Sequence, residues 1–133
     1  MVKHHGKISM RIATLNAESM IDGTIAPKVG AKVAGKGMLV RNQLHKAGII
    51  LCGIQEARLR AGSWPTEHYQ VYSSGAVKGN WGCALLVATE SPYARASDDT
   101  ALVFKPSQIT PVFGDERILV LKFNAPLFRR TVI

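Results

Sequence analysis

Three oxygen-bearing side chains have the types and spacing to do chemistry together: Asn16 and Glu18 at the end of one apolar run, and Glu56 at the end of another. Oxygen donors imply a hard cation. Mg²⁺, or Mn²⁺ in its place, takes one or two protein carboxylates and keeps waters and substrate phosphate oxygens, so a sparse set suits it better than a zinc cage. The chemistry that follows is phosphoryl transfer or phosphodiester hydrolysis, with the metal neutralising phosphate charge and a separate acid/base pair activating water. On spacing alone, the more ordinary reading is favoured: Asn16 as a turn residue, Glu18 as a solvated loop acid and Glu56 as a helix-start carboxylate.

The elements that must hold these residues are legible nearby. Ile8, Met10 and Ile12 alternate with Ser9, Arg11 and Ala13, a period of two that predicts a strand from Ile8 to Leu15, closed by Asn16. The stretch Ala17 to Gly37 carries four glycines and one proline and predicts a surface loop. Val40, Leu44 and Ala47 suit an amphipathic helix over Met38 to Ala47, stopped at Gly48. Ile49 to Glu56 is an apolar run ending in Gln55 and Glu56; it reads as a buried strand, although periodicity alone also fits a buried helix. Strand, loop, helix and strand make a βαβ-like unit, and ligands of open α/β sheets collect outside the carboxyl ends of such strands.

Beyond Glu56 the pattern changes. A turn region at Gly62 to Pro65 precedes predicted strands at Tyr69 to Ser73, Cys83 to Ala88, Ala101 to Phe104, Ile109 to Val112 and Arg117 to Phe123, a meander rather than further βαβ units. A last strand begins at Phe128, and a chain ending inside that β-branched run reads as cut, with an apolar sheet face and an unpaired edge exposed to self-association.

The chain has 133 residues, 47% hydrophobic, enough for one domain with a core. Seventeen Lys and Arg against nine Asp and Glu give a formal charge of +8, which favours a polyanion such as nucleic acid, or a membrane surface. Lys28, Lys32, Lys36, Arg58 and Arg60 could line a phosphate track beside the metal edge, though solvated surface charge explains them as well. Trp64, Tyr69 and Trp81 fit a core or a base-stacking platform. Cys52 and Cys83 stand singly in apolar runs, so buried reduced thiols are expected. With no signal-peptide core and no apolar run near twenty residues, a soluble intracellular protein is expected.

Arg11-Ile12-Ala13-Thr14-Leu15-Asn16-Ala17-Glu18, Ile49 through Gln55-Glu56-Ala57-Arg58, and Gly82-Cys83-Ala84-Leu85-Leu86-Val87 together resemble the endonuclease/exonuclease/phosphatase superfamily. The likeness is greatest to the apurinic-type endonuclease domains of non-LTR retrotransposons. It implies an α/β fold, the N-terminal part of a four-layer sandwich of two packed mixed sheets flanked by helices, and a Mg²⁺-dependent phosphodiesterase acting on DNA. Asn16 then matches the asparagine near the metal, Glu56 the metal-binding glutamate, and Glu18 an acidic position usually held by aspartate. The same early motifs are shared by phosphatases acting on phospholipid or inositol phosphates. Family members also carry an Asp-x-Asn and a terminal Ser-Asp-His that prepare the water. Neither motif occurs here, and His4, His5, His45 and His68 each read as surface residues, so the chain alone is expected to be inactive. The reading from another class is a non-catalytic basic module that binds nucleic acid.

Overall fold

A computed structural model describes residues 6–17, 35–75, 81–128 and 131–132. The first unit is β1 (Gly6–Ile8), β2 (Arg11–Asn16), α1 (Lys36–Lys46) and β3 (Ile49–Gln55). There follow β4 (Gly62–Pro65), β5 (Tyr69–Ser73), β6 (Cys83–Ala88), β7 (Ala94–Ala96) and β8 (Ala101–Leu102). A 3₁₀ turn at Pro106–Gln108 leads into β9 (Ile109–Gly114), β10 (Leu119–Phe123) and β11 (Thr131–Val132). Among the described residues the fold is mixed α/β and mostly sheet, with one helix and three sheets.

The largest sheet has the order β2-β3-β6-β5-β4. Only β2 and β3 run parallel; the other neighbours are antiparallel. A parallel pair needs a long crossover. Here α1 supplies it, laying Val40 and Leu44 against the core. Its end follows the expected glycine chemistry: Ala47 N donates to Gln43 O at 3.0 Å, and Gly48 adopts φ 72°, which glycine reaches without a Cβ clash. Two smaller sheets, β1-β7-β8 and β11-β10-β9, are antiparallel.

The core joins these sheets. Ile50, Leu51, Cys52 and Ile54 of β3 are buried together with Val71, Leu86 and Val87 from its neighbours. Tyr93 stacks on Phe104 at 4.1 Å, and Phe104 meets Phe123 edge-on at 5.0 Å, so an aromatic cluster ties the β7 region to β10.

Several sequence expectations shift. The first strand does not start at Ile8: β1 pairs with β7 in another sheet, Ser9 N donates to Tyr93 O, and the chain enters β2 only at Arg11. The period of two holds in β2, but Ala13 and Leu15 are the packed residues and Ile12 is 63% exposed, because the edge strand turns its odd positions toward the core. Gly62 to Pro65, read as a turn, is an edge strand; Pro65 lacks a ladder donor and sits at its end, where an outer strand tolerates it. β7 was not expected at all, being three residues long. Ala101 to Phe104 pairs only over Ala101–Leu102, and Phe104 leaves the ladder to enter the aromatic cluster. The segment Arg117–Ile118 is a turn, held by both backbone N–H groups donating to the Asp115 carboxylate at 2.8 Å. No helix among the described residues is long and apolar enough to cross a membrane.

Candidate functional site

Asn16 and Gln55 are register partners at the carboxyl end of the parallel pair, and Ala17 N donates to Gln55 O at 3.1 Å as the two strands close. The beginning of α1 lies at the same end. Lys36 Nζ donates to Ala17 O at 2.7 Å, and the helix starts after Gly35 (φ 73°) with no side-chain cap. Uncapped N–H groups and a lysine beside two strand ends form a positive corner.

Glu56 follows directly and leaves the sheet with φ 51°. Arg58 at φ 55° and Trp81 at φ 65° share this left-handed backbone. Three such non-glycine residues cost about 1–3 kcal/mol each, so the surrounding contacts must hold them. They do so through the backbone: Ala57 N donates to Gly82 O, Arg58 N donates to Trp81 O, both at 3.0 Å, and Gly82 N donates to Glu116 O at 2.9 Å. Three segments distant in sequence are thereby fixed at one edge. Strain of this kind gathers at ligand clamps and active sites.

Beside this edge lies a groove of about 330 Å³, lined by Thr14, Gly53, Gln55, Cys83 and Arg117 among others. Gly53 opens it, since a Cβ there would meet nothing within 4 Å. Arg117 stands over the half-exposed Trp81 ring, 4.9 Å from its centroid. Burial, then the charge of Asp115, pushes the Cys83 thiol up from its usual range, so it faces the groove as a neutral thiol.

Of the residues expected at the site, the fold gathers Asn16, Glu56, Lys36 and Arg58 at this edge. Arg58 has its Nε buried, with no hydrogen-bond partner among the described residues. Arg60 stacks on Trp64 of the outer strand β4, at 4.6 Å, away from the Asn16–Gln55 pair. Glu18, Lys28 and Lys32 lie outside the described residues. Tyr69 is core, its hydroxyl donating to Ile49 O at 2.7 Å. Both cysteines are free thiols, Cys52 buried and Cys83 half-buried.

Sequence reasoning missed Gln55 and Arg117 as site residues, and left Trp81 open between a core residue and a base-stacking platform. Gln55 was visible as the neighbour of Glu56; Arg117 carries no local signal, because it arrives through a hairpin 61 positions after Glu56 in sequence. Of the histidines expected at the surface, His4 and His5 lie outside the described residues, while His45 and His68 are half-buried: they stack at 3.7 Å, and His68 Nδ1 lies 2.7 Å from Glu90 Oε2, at the opposite end of the sheet. No protein-family model, no curated protein and no solved structure matches this chain.

Proposed function

We propose that the carboxyl edge of β2 and β3 is the cation- and phosphate-binding wall of a metal-dependent phosphodiesterase acting on DNA, in an α/β sandwich of the endonuclease/exonuclease/phosphatase type. The observation that carries this reading is the register pairing of Asn16 with Gln55, which sets an amide and the Glu56 carboxylate at the mouth of two parallel strands. The donors are all oxygen, and Glu56 has no ion pair among the described residues, a set that fits a hard divalent cation such as Mg²⁺. Bound there, the cation would neutralise charge on the phosphate and its leaving oxygen.

The chain's own residues do the rest of the binding. Lys36 and the first turn of α1 draw an anion to the corner. Arg117 is poised by its contact with Trp81 to meet a phosphate while the exposed indole offers a face to an unpaired base. The left-handed residues Glu56, Arg58 and Trp81 hold these groups in place without waiting for substrate. Water activation falls to groups that this chain's sequence motifs do not supply, which supports binding by the isolated chain with little or no turnover.

A plasmid-nicking assay tests the reading. Nicking of supercoiled DNA that needs Mg²⁺, or, where turnover is absent, DNA binding strengthened by Mg²⁺, supports the phosphodiesterase wall when it is lost in Glu56→Gln. Salt-sensitive DNA binding without nicking, equal in wild type and Glu56→Gln, supports instead a non-catalytic basic module, a reading favoured by the +8 charge and the exposed Arg117–Trp81 pair.

A further inference from the structure

At the end of the sheet away from Asn16 and Gln55, three elements deliver one ligand-type side chain each. His45 sits in the last turn of α1, His68 in the turn before β5, and Glu90 just after β6. One donor atom from each lies within 4.8 Å of the other two. The rings of His45 and His68 are parallel within 2° at 3.7 Å, and the Glu90 carboxylate is already 2.7 Å from His68 Nδ1.

Their positions are braced by groups that are not ligands. His68 holds φ 68°, a left-handed conformation that a histidine adopts at a cost. Its carbonyl is fixed by Thr89 N at 3.0 Å, which locks the turn beside Glu90. The neighbouring Tyr69 hydroxyl donates to Ile49 O at 2.7 Å, joining the same turn to the strand that follows α1. Two imidazoles and a carboxylate are a borderline nitrogen-and-oxygen set, suited to zinc and poorly suited to Mg²⁺.

We infer that His45, His68 and Glu90 form a binding site for a zinc-class divalent cation, separate from the oxygen-lined edge. A tetrahedral zinc holds its ligand atoms roughly 3.3 Å apart given bonds of about 2.0–2.1 Å. The three donors reach that spacing by turning the rings about their broad Cβ–Cγ torsions and by a small shift of Glu90, which is 58% exposed. Three protein ligands leave a fourth position for water, and the exposure of Glu90 puts that position in contact with solvent.

The test uses the full chain, stripped with chelator, titrated with ZnCl₂ by calorimetry and followed by imidazole NMR signals. One zinc should bind, moving the His45 and His68 resonances, while MgCl₂ at the same concentration moves neither. Glu90→Gln and His45→Ala should each weaken zinc at least about tenfold. Glu90→Gln changes an exposed side chain, so it keeps the test decisive if the helix variant fails to fold. Circular dichroism checks both variants. The inference is overturned if no zinc binds, if binding is unchanged in both variants, or if it vanishes only when His4 and His5 are replaced by alanine.

Discussion

Asn16 and Gln55 face each other as the last register pair of the parallel β2/β3 ladder, and the next residue on each strand leaves the sheet. That makes the pair the fixed floor of the proposed cation edge, with Glu56 turned off it at φ 51°. Asn16→Ala and Glu56→Gln should each lower any Mg²⁺-dependent cleavage by about 10²-fold or more, the scale for a lost, preorganised polar contact at a reacting phosphate. The Glu56 side chain stands at the strand mouth rather than in the core, so the unfolding free energy of Glu56→Gln from urea titration should stay within about 0.5 kcal/mol of wild type. An unfolded Glu56→Gln protein would instead assign Glu56 a structural role.

The part of this edge that could be read from the sequence is the part made locally. The apolar run into Gln55, the helix ended at Gly48 and the strand ended at Asn16 each carry their own signal, and a βαβ order places their ends together. Arg117 had no such signal and Trp81 only an ambiguous aromatic one, because their placement depends on backbone bonds from Gly82 to Glu116 and from Arg58 to Trp81. The same reason hid the histidine cluster: His45 and His68 are 23 positions apart and meet only because α1 ends beside the start of β5. β4 was obscured by Gly62 and Pro65, residues that mark turns in most contexts but are tolerated on an outer strand.

Arg117 and Trp81 make separable contributions if the edge binds nucleic acid. Arg117→Ala should weaken DNA binding and flatten the plot of log affinity against log salt by about one unit of slope, one phosphate contact fewer. Trp81→Ala should cost single-stranded DNA about 1–3 kcal/mol with the salt slope retained. Fluorescence anisotropy at several salt concentrations reads both. Equal loss of slope in the two variants would mean that Trp81 serves only to position Arg117.

Gly53 lies mid-strand in β3, and the space above it is open. Glycine inside a strand costs about 0.5–1 kcal/mol in conformational freedom, and a β-branched residue there restores it. Gly53→Val should therefore leave stability unchanged or raise it by up to about 1 kcal/mol in urea unfolding. It should also narrow the groove beside Gln55 and reduce ligand binding there. A destabilised Gly53→Val would show that the groove is closed in solution.

Alkaline pH should unfold the protein from inside β3 and β5. Burial pushes the Cys52 thiol from 9.0 to about 11, and burial followed by the charge of Cys52 pushes the Tyr69 hydroxyl from 10.0 to about 12. Both groups are neutral when protonated and are held protonated by the fold. The unfolded chain releases these protons first as pH rises, so stability is full below about pH 9 and falls as pH passes from there to about 12. Tyr69→Phe removes one of the two groups and also the hydroxyl that donates to Ile49 O. It should lower stability at pH 7 by about 1–2 kcal/mol through the unpaired carbonyl, yet lose less on going from pH 9 to 12 than wild type does. Urea titrations at stepped pH measure both effects. An unchanged alkaline limb in Tyr69→Phe would place the alkaline sensitivity elsewhere than at Tyr69.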